Sequence, residues 1–315
     1  MATSNSVDFN LTRDEIINDA LVQIGAIEAG ETPSAADTAF AARQLNRMVK
    51  TWQVDGVRLW TRREAILFLS TSQGSYILGP NTTDHAAELR DAVRTELSAD
   101  AASGASTITV DSVTGMAAAD KIGVVLSDGT IDWDTISSIS TLTITLAGTL
   151  SGAASTDGQV FAYTTNINRP LRIINAQRLN KNDVDTPIDV ISHAEYQRLP
   201  SKTDTGLTNN LYYQPETPDG FVYLWPEPNT SSDRIRMTCL FPIEDFDTSA
   251  HNADLPQEWL DCLVWNLSKK LLASYGAPAT TAALVAAEAD SLYVKMTEWD
   301  REPESTTFAP DFTGA

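Results

Sequence analysis

Residues 121–140, with the sequence KIGVVLSDGTIDWDTISSIS, decide how the middle of the chain folds. The pair Asp128-Gly129 is a strong hairpin signal, because a type I′ turn needs positive φ at both central residues. Apolar and polar positions alternate on either side of it, which is typical of strands. The pattern predicts five short strands without a helix, at 107–110, 122–126, 131–136, 142–146 and 160–163. Such a series favours a small antiparallel barrel or sandwich.

We interpret this β module as an insertion into the rest of the chain, because its flank 98–104 (SADAASG) has the composition of a linker. We therefore expect a core from 1–98 plus 165–300, an inserted module at 99–164 and an extended C-terminal tail at 301–315. The module holds seven Asp and one Lys but no Arg, so we expect a solvated acidic module that does not contact DNA. We expect its own core to contain Ile108, Val124, Ile131, Trp133, Ile136, Leu142, Ile144 and Val160.

Helical patterns occupy both ends of the chain. Thr12 and Glu15 form a capping-box signature before an apolar periodic segment. Gly276 and Pro278 follow a second strongly apolar segment and mark its end. Helices are predicted at 12–25, 34–55, 254–275 and 280–299.

Between these helices, short apolar runs separated by Pro, Gly, Asn and Asp predict further strands. The runs lie at 65–69, 76–78, 211–213, 221–225 and 235–241. We therefore expect an α+β fold, in which a helical bundle from both chain ends carries a central antiparallel β region and the inserted small β-barrel or sandwich.

Composition excludes several classes of function. The 315 residues carry a formal net charge of −20, which argues against sequence-independent nucleic-acid binding and against docking on anionic lipid. No apolar run is long enough to span a membrane, and the first ten residues lack a secretory signal. The two cysteines, Cys239 and Cys262, cannot build a disulfide framework. We expect a protein that is made and kept in the cytosol.

Known catalytic and metal-binding motifs are absent from the sequence. The histidines His85, His193 and His251 are far apart and are expected at the surface or in loops. The acidic run 244–247 lacks the ligand order of a calcium loop, and Asp132-Trp133-Asp134 reads as a strand with both carboxylates outward. We therefore predict no catalytic residue, no metal and no cofactor, and a protein that is not an enzyme.

The order of the segments resembles podovirus head-to-tail adaptors, the family of tail tubular protein A and the packaged-DNA stabilisation proteins. Apart from 99–164, the resemblance covers most of the chain. It rests on packing and turn patterns, not on catalytic signatures. The stretches that carry it are TRDEIINDALVQIG (12–25), MVKTWQVDG (48–56), LW (59–60), ILGP (77–80), LYYQPETPDGFVYLWPEP (211–228), RIRMTCLFPIEDF (234–246) and LPQEWLDCLVWNLSKKLLASYG (255–276).

The resemblance implies a structural virion protein, a connector ring of twelve copies between portal and tail that forms part of the DNA channel during ejection. Implied partners are other copies of the chain, the portal protein, a tail nozzle or tail hub protein, and double-stranded DNA that passes without sequence-specific binding. No membrane is involved. The implied location is the portal-proximal tail of the virion, after assembly in the host cytoplasm.

Candidate interface residues follow from charge and from aromatic content. A basic stripe fits an acidic partner such as another subunit, although the solvated back of an amphipathic helix is the alternative. In the tail, Phe308 and Phe312 are the natural anchors for docking on the portal, with a tail that has no partner as the alternative. The complete predicted set is Arg43, Arg47, Lys50, Arg58, Arg62, Arg63, Trp299, Phe308 and Phe312.

Two other classes of function stay open at the level of sequence. One is a virion-associated carbohydrate- or receptor-binding protein that uses the inserted β module, whose aromatic residues are Trp133, Phe161 and Tyr163. The other is a hydrolase with unrecognised carboxylates.

Overall fold

The computed structural model describes residues 6, 8–55 and 61–300. The chain forms two compact units. Unit 1 comprises Met1–Trp60 and Ile243–Ala315, and unit 2 comprises Thr61–Pro242. The described helices near both chain ends therefore belong to one unit, and the middle of the chain forms the other.

The helices, with one 3-10 turn, have the following bounds: α1 (Arg13–Gln23), α2 (Ala35–Asp55), α3 (His193–Arg198), the 3-10 turn Gln257–Trp259, α4 (Leu260–Tyr275) and α5 (Ala279–Trp299). The strands have the following bounds: β1 (Arg62–Phe68), β2 (Ser75–Leu78), β3 (Ala86–Glu88), β4 (Val93–Glu96), β5 (Thr107–Thr109), β6 (Lys121–Val125), β7 (Ile131–Ser140), β8 (Thr143–Leu146), β9 (Gln159–Tyr163), β10 (Arg172–Leu179), β11 (Asp185–Ile191), β12 (Thr205–Gly206), β13 (Asn210–Pro215), β14 (Gly220–Trp225), β15 (Glu227–Pro228) and β16 (Arg234–Leu240).

The predicted fold class is wrong. The protein is mostly β, with only 26% helix, and its main feature is a large, nearly closed barrel-like sheet beside a half-barrel sheet. The expectation of an α+β fold organised by a helical bundle from both chain ends gave too much weight to the terminal helices. Strands β10 to β12, which the sequence did not predict, enlarge the β region that the helices were expected to carry.

Helix α4 is the centre of unit 1 and packs on α1, α2 and α5. The predicted capping box at the start of α1 is confirmed, since the Thr12 side chain accepts from the Glu15 N–H and Glu15 Oε2 accepts from the Thr12 N–H at 2.8 Å. Helix α4 ends at Gly276, whose φ of 64° suits glycine. Helix α5 buries only Val285 and Ala289, so it rests on a narrow stripe and does not close a bundle.

The larger sheet of unit 2 has eight strands in the order β2-β14-β13-β11-β10-β16-β1-β3. One face encloses an apolar core that includes Leu67, Tyr76 and Met237. Most neighbours are antiparallel, but β11 and β13 are parallel and are joined by the crossover that contains α3. The Tyr196 ring of α3 stacks on Tyr212 of β13 at 5.4 Å, which holds the crossover against the sheet.

The smaller sheet of unit 2 has six strands in the order β4-β9-β6-β7-β8-β5. Strands β5 to β9 lie at the five predicted positions, and β4, which precedes the predicted module, completes the sheet. The predicted division of the chain into core, insertion and tail stays a prediction. Of the expected module core, Leu142 is 40% exposed, whereas Ile108 and Val160 are buried in the sheet's own apolar cluster.

The turn between β6 and β7 differs from the predicted type I′ turn. Gly129 has a φ of 85°, but Asp128 is not among the residues with positive φ. The Leu126 N–H donates to the Thr130 carbonyl at 2.8 Å, so three residues form the loop. This geometry matches a type I turn followed by a left-handed glycine, which needs positive φ only once.

Most aspartates of the six-stranded sheet fasten loops instead of facing solvent alone. Each accepts a hydrogen bond from a backbone N–H, which is the usual local role of this side chain. The pairs are Asp100 with Thr156, Asp120 with Ala117, Asp128 with Thr130, Asp132 with Ser151 and Asp134 with Gly148, at 2.7–2.9 Å. The carboxylates of the acidic module therefore also hold its loops, and Asp100 and Asp128 remain exposed while doing so.

The two sheets of unit 2 meet at an aromatic junction. Strand β1 is buried on both faces, because Leu67 points into the eight-stranded sheet's core while Phe68 packs on the six-stranded sheet. The Phe68 ring lies 5.1 Å from Phe161 and 5.3 Å from Trp133. This contact joins the two sheets and removes their apolar side chains from water, which stabilises the fold.

Glycine at position 123 makes room for the Trp133 ring. Gly123 on β6 pairs with Trp133 on β7, and a Cβ at Gly123 would lie only 2.7–2.8 Å from three carbons of that ring. The His85 ring stacks on the Trp133 ring, with 3.7 Å between the two ring centroids and an angle of 9° between the ring planes. The Trp133 ring is therefore fixed by close packing at the junction.

An ion-paired group also connects the two sheets. Arg94 of β4 donates to Asp183 at 2.9 Å, and Arg234 of β16 pairs with the same carboxylate. The Arg234 guanidinium lies over the Phe161 ring of β9, 5.6 Å from its centroid. Because the Arg234 side chain is only 9% exposed, the pairing to Asp183 compensates much of its burial.

We expect Gly123→Ala to lower the free energy of unfolding by about 1–3 kcal/mol, because the added methyl group forces the Trp133 ring off its position. Denaturant unfolding followed by tryptophan fluorescence measures the change. Gly206→Ala is the matched control, since a Cβ there meets Pro226 at an ordinary 3.5 Å. Equal stability of Gly123→Ala and the control would refute this packing argument.

Candidate functional site

A basic surface lies on α2 and α4 of unit 1. We define it by Arg43, Arg47 and Lys270. Arg43 and Arg47 are exposed and stand one turn apart on α2, so they share a face. Burial, followed by the charge of Arg47, lowers the pKa of Lys270, which places this ammonium group near Arg47. Within the described residues, no carboxylate lies within ion-pair distance of these three cations.

Aromatic packing sets the position of this basic surface. The Arg43 guanidinium lies 6.0 Å from the centroid of the Phe40 ring, and Phe40 meets Tyr275 of α4 edge to face at 6.4 Å. The Tyr275 hydroxyl donates to Asp37 at 2.7 Å. These contacts fasten the first half of α2 to the end of α4, and thereby fix the backbone that presents the cations.

Lys50, which the sequence grouped with these arginines, has a partner within unit 1. Its ammonium group donates to the Ile243 carbonyl at 2.6 Å and pairs with Asp245 at 2.8 Å. Asn46 fastens the same loop by accepting from the Phe246 N–H at 2.9 Å. The acidic run 244–247 is therefore held against α2, and Lys50 serves that contact.

The other predicted interface residues lie in unit 2, at the end of α5, or outside the described residues. Arg62 and Arg63 lie on β1 of unit 2, where Arg63 pairs with Glu88 at 3.1 Å. Trp299 ends α5 of unit 1 and is 55% exposed. Arg58, Phe308 and Phe312 lie outside the described residues.

An acidic pocket lies elsewhere on unit 1, between the start of α1 and the segment that leads into α2. Its cavity measures about 330 Å³, and Asp14, Glu15, Asn18, Glu31 and Thr38 contribute to its wall. The Asn18 Oδ1 atom is buried and accepts no hydrogen bond from the described residues. A pocket with several carboxylates suits a ligand with several N–H donors.

The three histidines do not converge. His193 and His251 are exposed, and His85 lies in the loop between β2 and β3. The His85 ring is half-buried at the junction, and its Nδ1 lies 2.6 Å from the Tyr163 hydroxyl. Burial, followed by the charge of Lys121, lowers the pKa of His85 from 6.5 to about 4.

Other chemistry-bearing side chains are engaged in the fold. Asp132 and Asp134 each accept from a loop N–H at 2.7 Å, so the predicted outward pair is occupied by the 148–151 loop. Burial raises the pKa of the Cys262 thiol to about 12, which opposes thiolate chemistry. In the part of the chain that the structure describes, no group of three or more His, Cys, Asp or Glu side chains could hold a metal ion.

The aromatic residues of the six-stranded sheet are not arranged as an exposed binding platform. Phe161 and Tyr163 are fully buried, and Trp133 is covered by His85. A carbohydrate site of the kind considered for this module needs open ring faces. These rings serve the junction between the two sheets.

Sequence reasoning missed Lys270 and the acidic pocket. Lys270 stands in an ordinary helical segment, and only the packing of α4 on α2 brings it to Arg47. The pocket combines residues from α1 and from the loop at Gly30–Pro33. The sequence shows where the charged residues stand along the chain, but not that these two segments come together. The local density of Asp and Glu between residues 14 and 37 was the available signal.

Comparisons with known proteins add little to this picture. No protein-family model matches the sequence, and no curated protein matches it. Among solved structures, part of the chain is similar to VP17, a capsid protein of bacteriophage P23-77, with 9% identity over 59% of this chain and 76% of that one. The TM-score is 0.12, so the similarity carries no argument about fold or function. Within the described residues, no helix is long and apolar enough to cross a membrane.

The low pKa of His85 predicts a pH-dependent contribution to stability. The folded-state pKa of about 4 lies below the ordinary 6.5, so folding favours the neutral ring. This contribution is present above pH 6.5 and is lost as the pH falls towards 4, with a total on the order of 1–2 kcal/mol after solvent screening. Denaturant unfolding from pH 7.5 to 4 measures the free energy of unfolding of His85→Gln and of the wild-type protein. The difference between these two free energies should become smaller as the pH falls. His193→Gln is the control. A difference in the free energy of unfolding between His85→Gln and wild type that stays constant across this range would contradict the lowered pKa of His85.

Proposed function

We propose that the chain is a structural protein of a phage virion that forms a head-to-tail adaptor ring between the portal and the tail. The observation that carries this proposal is the distribution of charge. The whole chain has a net charge of −20, yet three cations on α2 and α4 lack a carboxylate partner among the described residues. An acidic protein with an unpaired basic surface is suited to contact with acidic proteins.

The same charge suits passage of DNA. Acidic walls repel the phosphate backbone, and repeated copies in a ring would sum their fields along a channel. DNA could then pass without stable binding. Ring closure brings acidic subunits side by side, so the subunit contacts need local positive charge, which the basic surface provides.

The way the side chains are used favours a structural role over catalysis. The His85 ring, the Asp132 and Asp134 carboxylates and both cysteines are committed to packing or to loop hydrogen bonds. The resemblance of the segment order to podovirus head-to-tail adaptors points the same way. The proposed portal and tail partners, and a ring of twelve, rest on that resemblance.

The purified chain should assemble into closed rings, and the rings should bind the portal of the same phage without retarding duplex DNA at physiological salt. Negative-stain electron microscopy and sedimentation velocity measure assembly, and a gel-shift assay measures DNA binding. Rings that bind the portal are the expected result, because acidic surfaces repel DNA while basic surfaces hold neighbours. A chain that stays monomeric both alone and with the portal would refute the adaptor function.

A further inference from the structure

We infer that the basic surface of one copy docks into the acidic pocket of the next copy, so that subunits join head to tail. This inference rests on the proposed ring and names the contact that builds it. It starts from two complementary surfaces on the same unit: Arg43, Arg47 and Lys270 on one side, and the pocket of Asp14, Glu31 and Asn18 on the other.

The two surfaces face different directions, which prevents one copy from satisfying itself. Thr38 contributes to the pocket, and Arg43 stands five residues later on the same helix α2. At ~100° per residue, these two positions are ~140° apart around the helix axis. The basic surface therefore does not reach the pocket of its own molecule, and a second copy can supply one.

Chemistry on the pocket side fits a guanidinium group. Arginine offers five N–H donors in a planar fork, and carboxylates are its natural acceptors. Asp14, Glu15 and Glu31 stand in the pocket wall. The cavity of about 330 Å³ has room for a long basic side chain.

The pocket retains net negative charge after its internal contacts are counted. Arg13 pairs with Asp14 at 2.8 Å, and Glu31 accepts from the Glu28 N–H at 3.0 Å. Glu15 is held by the Thr12 cap. One cation therefore stands against several carboxylates, and an incoming arginine would balance them.

The proposed contact determines what kind of assembly the chain can form. A contact between two different surfaces of the same chain is heterologous, and repetition gives a ring if the rotation closes and a filament if it does not. A ring requires a rotation other than two-fold, because a two-fold arrangement of the same two surfaces closes as a dimer instead. The contact should weaken as ionic strength rises, because its charges are near the surface.

The test uses two full-length variants that remove one surface each. Arg43→Gln, Arg47→Gln and Lys270→Gln together neutralise the basic surface, and Asp14→Asn with Glu31→Gln neutralises the pocket by near-isosteric changes. Each variant alone should remain monomeric, with association at least about tenfold weaker than wild type. Mixed in equal amounts, they should give dimers that do not grow, because only one intact pair of surfaces remains.

The matched control is Arg172→Gln with Arg198→Gln, which removes exposed cations of unit 2 and should assemble as wild type. Circular dichroism and melting temperature confirm folding of each variant. Wild-type assembly of either surface variant, or a mixture that stays monomeric while wild type forms rings, would overturn the inference. Duplex DNA binding by the wild-type chain that the basic-surface variant loses, with assembly unchanged, would also overturn it, by assigning the basic surface to nucleic acid. A wild-type chain that never assembles would instead refute the proposed adaptor function.

Discussion

The Trp133 ring, held between Gly123 and His85, is the contact on which unit 2 depends. Gly123 leaves space that no other residue could leave without displacing the ring. His85 stacks on Trp133 and reaches the Tyr163 hydroxyl, so one side chain connects a loop of the larger sheet with β9 of the smaller sheet. Phe68 completes the junction from β1. The two sheets therefore share one interior surface.

Sequence reasoning located many elements and still assigned the wrong fold class. The capping box at Thr12 and the strands β5 to β9 follow local rules, namely side-chain hydrogen bonding and period-2 alternation. Strands β10 and β11 do not alternate cleanly, because their positions are largely exposed or half-buried on both faces. Without that signal, no strand was predicted within residues 172–191, and the strand pairing that completes the eight-stranded sheet could not be predicted.

The candidate interface was predictable only in part, for a similar reason. Helical periodicity alone placed Arg43 and Arg47 on the outer face of α2. Periodicity could not reveal that Lys50 is paired with Asp245, or that Lys270 approaches Arg47, since both contacts join segments that are distant in sequence. The turn type at Asp128-Gly129 was missed because a three-residue loop and a two-residue loop share the same residue preferences.

The proposed role in a virion requires a unit that holds its shape, and two sheets joined by aromatic packing and by the Arg94–Asp183–Arg234 group meet that requirement. Because the aromatic junction joins the two sheets of unit 2, we expect them to unfold as one body. Native-state hydrogen exchange, resolved to individual amides, measures whether they do. Slow amides in β1 and in β9 should open with the same free energy and respond alike to denaturant. Opening of β9 at a clearly lower free energy, while β1 stays protected, would contradict it.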